Sequence, residues 1–127
     1  MVLGCGGLSA AELKRQASGI ESVAAEGELL AEQVAEERGK DTFVRVHSDD
    51  LSGQMQHTEE KLHETEQEGE VPDELSDQVK ETIELAGDAD DALNELHLNP
   101  SDPAQARATR TKLEEVSTRA GNLVDTL

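Results

Sequence analysis

A seven-residue recurrence runs through the first third of the chain: Leu13, Ile20, Gly27 and Val34, with Val23 and Leu30 filling the intermediate seam. Ala17, Ala24 and Ala31 flank it. Such a period places small and aliphatic side chains on one stripe of an α-helix, a stripe that is stable only when it packs against other helices. Ser9 opens this helix with a capping-box pattern, since Glu12 stands three residues on and can reach back to the cap. Gly39, preceded by Arg38, is the expected stop.

The later segments carry the same logic. Thr42-Phe43-Val44-Arg45-Val46 alternates and, read alone, would suit a short strand. Val44, Leu51, Met55, Thr58 and Leu62 nevertheless share one helical stripe, so a helix is expected over 41–67, with Ser52-Gly53 as its weak point. A later start near Ser48 is the alternative. Pro72, followed by Asp73 and Glu74, is an N-terminal signature for a third helix. Its apolar stripe of Leu75, Val79, Thr82, Ile83, Ala86, Ala89, Leu93 and Leu96 runs to about His97, and Asn99-Pro100 ends it. Asp102, with Pro103 and Gln105, reads as a second capping box. Beyond it Ala106, Leu113, Val116, Ala120, Leu123, Val124 and Leu127 mark the buried face of a last helix.

Four helical patterns joined by short connections imply antiparallel neighbours. The expected fold is all-α, an antiparallel up-down-up-down four-helix bundle, with a three-helix bundle carrying a mobile second segment as the alternative. At 1.5 Å per residue the bundle should be roughly 35–40 Å long. Residues 1–8 read as a signal remnant or flexible tether, and 9–127 as one acidic helical domain.

Composition limits the core and the partners. Leu, Ile, Val and Phe supply 27 of the 127 residues, and Phe43 is the one aromatic. The core must therefore consist of thin aliphatic seams. With 29 acids against 11 Lys and Arg, the net charge of −18 opposes nucleic acid, whose binding depends on cations that neutralise phosphates. It equally opposes direct attraction to anionic lipid heads. The charge is uneven. Residues 59–91 hold 14 acids and only Lys61 and Lys80, whereas 102–127 balance to zero. The last helix should accordingly lie between acidic neighbours and relieve their repulsion.

The start of the chain, Val2-Leu3-Gly4-Cys5 followed by Gly6-Gly7, resembles the lipobox at the end of a bacterial lipoprotein signal peptide. The resemblance implies a lipid on the Cys5 sulfur, cleavage just before it, and a small polar tether beyond. It also implies a location on the extracytoplasmic face of the cell membrane.

Few residues suggest chemistry. Glu60 and His63 form a Glu-x-x-His pair, one half of a carboxylate metal site whose second pair the sequence lacks. His47, His57, His63 and His97 occupy polar positions without close ligand spacing. Met55, on the core stripe, has no haem-attachment motif beside it. Asp88-Ala89-Asp90-Asp91 lacks the glycine and terminal glutamate of a calcium loop. No catalytic residues, no cofactor and no metal are therefore expected, and the chain does not read as an enzyme. The expected function is that of a small lipid-anchored envelope lipoprotein, a non-catalytic binding or spacer module. Its partner would be another protein or a second copy, with membrane contact only through Cys5. The alternatives are a cytosolic acidic helical regulator and, more remotely, a metal-binding bundle.

Overall fold

The computed structural model describes residues 7–127 and holds four helices: α1 (Ala10–Ala35), α2 (Asp41–Gln67), α3 (Ser76–Leu98) and α4 (Pro103–Thr126). Cys5 and the rest of the proposed lipobox lie outside the described residues. A short 3-10 turn over Asp73–Leu75 leads into α3, so Pro72 caps that turn rather than α3 itself. The 26 residues of α1 span about 39 Å.

Side-chain registers settle the topology. Ser117 on α4 donates to the Glu21 carbonyl, while Leu113 lies against Gly27, so α1 and α4 run antiparallel. The Ser52 hydroxyl on α2 donates to Asp90 on α3, and His97 meets the Arg45 carbonyl at 3.2 Å. Those helices are antiparallel as well. The bundle is up-down-up-down, as the short connections require. It is not square: α1 packs most extensively on α4 and α2 on α3, and α1 meets α2 only lightly.

Small residues produce the close pairs. Ala17, Ile20, Ala24 and Ala31 of α1 are wholly buried, and the main core continues through Leu93, Leu96, Leu113 and Ala120. A Cβ on Gly27 would stand 2.9 Å from Leu113 Cδ1 and 3.0 Å from Leu93 Cδ2. Its absence lets two leucines from different helices meet over α1. On α2 the stripe includes Ser48 and Ser52, both buried. Ser48 donates to the Val44 carbonyl at 2.6 Å, so its hydroxyl is satisfied inside its own helix. Serine takes less room than leucine, and from this stripe the Ser52 hydroxyl reaches Asp90 of α3.

Several local expectations change. The strand-like alternation at 42–46 gives way to helix, which buries Val44 completely on one stripe with Leu51, Met55 and Leu62. Ser52-Gly53 does not break α2. Gly39 is not the stop of α1: the helix ends at Ala35, and Glu37 takes the left-handed position with φ 58°. Arg38 falls past the helix and pairs with Glu36 at 2.6 Å. Both capping boxes form by half. The Ser9 hydroxyl accepts the Glu12 N–H and the Asp102 carboxylate accepts the Gln105 N–H. The Gln105 side chain, however, donates to Glu95 on α3 instead of reaching back.

A second cluster of Leu13, Leu62, Val79 and Ile83 closes the end at which α1 begins, with Leu8, Val71, Leu75 and Leu127 packed around it. The Leu8 N–H donates to the Glu70 carbonyl at 2.9 Å. The chain thus enters the bundle beside the α2–α3 connection. The α1–α2 and α3–α4 connections lie at the opposite end.

Candidate functional site

The exposed large apolar side chains among the described residues are Leu29, Phe43, Val46 and Leu98. The antiparallel topology collects all four toward the end away from Leu8. Leu29 falls off the seven-residue seam and points away from the core, 61% exposed. Phe43, 52% exposed, immediately precedes the buried Val44 and therefore projects to the edge of α2 that faces α1. His47, one turn further on, stacks on it with ring centroids 5.4 Å apart.

Leu29, Phe43 and His47 line a shallow groove between α1 and α2. Leu29 and Phe43 form its walls, the buried Leu30 its floor, and Glu26, Gln33 and His47 its rim. His47 Nε2 stands 3.7 Å from a Glu26 carboxylate oxygen, an ion pair whenever the imidazole is charged. The groove exists because α1 and α2 barely touch, each being drawn to its own close partner.

A second feature is electrostatic. Arg119 on α4 approaches three carboxylates of α3, with Glu84 at 3.6 Å, Glu81 at 3.8 Å and Asp88 at 3.9 Å. Asp88, Asp91, Lys112, Glu115 and Arg119 line the cleft there. The Asp88 carboxyl is pushed above its ordinary range, first by partial burial and then by Glu84, with Arg119 opposing. Glu28 is raised likewise by burial and by Glu114 across the α1–α4 pair, with Arg110 opposing. Arg119 and Arg110 of α4 sit among acids of α3 and α1, as charge balance suggests, yet they do not neutralise them fully.

The sequence-derived metal candidates stay apart. His63 pairs with Glu66 through Nδ1 at 3.5 Å rather than with Glu60. His57 lies on the same helix, and His97 is on α3. No group of three His, Cys, Asp or Glu converges among the described residues. Met55 is buried in the core at 2% exposure. No described helix is long and apolar enough to cross a membrane. Sequence reasoning did not single out the groove, although its signal was present. Leu29, Phe43 and Val46 are the large apolar residues that fit neither the α1 seam nor the α2 stripe.

Three comparisons return no match: no protein family, no curated protein and no solved structure is found to be similar to this chain. The fold and surface define the class, an all-α antiparallel four-helix bundle.

Proposed function

We propose that this chain is a small envelope lipoprotein whose acidic helical bundle serves as a non-catalytic binding module. A lipid on Cys5 would hold it to the extracytoplasmic face of the membrane. The observation that supports this reading is the polarity of the bundle. The chain enters at the end marked by Leu8 and Glu70, and the exposed apolar groove lies toward the other. Leu29 stands 19 residues beyond the start of α1, about 29 Å along the helix. An anchor at Cys5 would therefore leave the groove facing away from the lipid. The acidic body fits this arrangement, because an acyl chain attaches by hydrophobic transfer while the negative surface stands off the headgroups.

The test is the intact mass of the N-terminal peptide, from protein extracted with detergent out of its own cells. A diacylglyceryl-modified Cys5 at the new N-terminus is the expected result. An unmodified peptide beginning at Met1 or Val2 would refute the anchor and move the search for partners inside the cell.

A further inference from the structure

We propose that the groove between the last third of α1 and the first turns of α2 receives a basic amphipathic helix of a partner protein. This inference rests on the binding-module part of the reading above and is independent of the lipid.

The shape argues for a helix. From Glu26 to Gln33 the groove follows about two turns of α1, roughly 10 Å. That length seats two or three side chains spaced i, i+3 or i+4 on an apolar helix face, a common mode of peptide recognition. Leu29 and Phe43 stand as opposed walls over Leu30. An exposed phenylalanine stiffened by stacking on His47 gives up little conformational freedom when covered, which favours it as an anchor.

Charge selects the partner. Residues 26–50, which contain both walls, carry eight acids against three bases. Glu28 among them faces α4 and Arg38 pairs with Glu36, which leaves six acids against two bases. Glu26 lies on the rim itself. A second copy would itself carry a net charge of −18, and like charge opposes that contact. An anionic bilayer is disfavoured for the same reason. Lys or Arg flanking an apolar helix face meets both demands.

The probe is a synthetic helical peptide of about 18 residues with leucines on one face and lysines elsewhere. A peptide of the same composition in scrambled order serves as control. Titrated into the isotope-labelled full chain, the amphipathic peptide should shift the amide resonances of Leu29, Gln33, Phe43 and His47. The double variant Leu29→Asp/Phe43→Asp should bind it about tenfold more weakly, while the control binds the variant at least as tightly as the unsubstituted protein. Both substitutions add negative charge, so weaker binding reports lost apolar contact and not lost attraction. Both sites are exposed, and circular dichroism checks that the variant folds. The resonance mapping on the unsubstituted protein decides the question even if it does not. Shifts confined to residues 59–91, or an affinity indifferent to the double variant, would overturn the proposal. So would a concentration-dependent dimer in sedimentation that the double variant abolishes, since a second copy would then own the face. The N-terminal mass is a separate readout. Failure of the groove leaves the anchor standing, and an unmodified Cys5 leaves the groove result intact.

Discussion

Gly27 and Gly53 both lie inside helices, and replacing each by alanine should change stability in opposite directions. Helix propensity favours alanine by about 1 kcal/mol at either site. A Cβ on Gly53 meets nothing within 4 Å, so Gly53→Ala should keep that gain. With an unfolding entropy of about 2.1 cal/mol/K per residue, 1 kcal/mol in a chain this long corresponds to about 4 °C in Tm. At Gly27 the new methyl would lie 2.9 Å from Leu113 and 3.0 Å from Leu93. Both leucines are wholly buried, so their ends have no solvent to move into. Overpacking of this kind costs about 1–3 kcal/mol, which cancels or exceeds the propensity gain. Gly27→Ala should thus be neutral or destabilising by up to about 2 kcal/mol, and fall about 1–3 kcal/mol below Gly53→Ala. Urea unfolding at fixed temperature reads both, provided that the slope with denaturant is unchanged. Equal stabilisation by the two substitutions would refute the reasoning. It would mean that the leucines of α3 and α4 do not close over α1 at that point.

Leu93→Ala should cost roughly 2–4 kcal/mol, because the side chain is wholly buried where α1, α3 and α4 meet; a loss below about 0.5 kcal/mol in a urea melt would count against that packing. The buried Thr109 hydroxyl has no hydrogen-bond partner among the described residues, so Thr109→Val should raise the urea midpoint, and a lowered midpoint would reveal a partner for it. The carboxyls of Asp88 and Glu28 are raised in the folded state. The folded protein therefore holds protons there that the unfolded chain has released, and stability falls as pH rises through the window between the ordinary and the raised values. Acidification into that window, or added salt at neutral pH, should raise Tm, and Asp88→Asn should raise Tm at neutral pH while flattening the pH dependence. A wild-type Tm that drops between low and moderate sodium chloride would contradict this account.

Local chemistry marks the helices plainly. The recurrence of Leu13, Ile20, Gly27 and Val34 becomes the buried seam of α1, and Asp102 caps α4 where its side chain can accept an amide. The span of α2 is also visible, because Val44, Leu51, Met55 and Leu62 hold one stripe over 41–67. Such signals are legible because helical periodicity and capping depend on residues three or four apart in the chain. The end of α1 is less so. Glu37 rather than Gly39 takes the left-handed turn, since the path of the connection is set by where α2 must dock.

The candidate groove belongs wholly to the tertiary level. Periodicity reports that Leu29 and Phe43 sit off the core stripes, but not that they face each other across a gap. That gap opens because small residues draw α1 onto α4 and α2 onto α3, leaving the α1–α2 seam loose. Residue spacing along one helix specifies which face is buried. How close two faces come depends on side-chain volumes contributed by helices distant in the chain, and that sum exists only once all four are assembled.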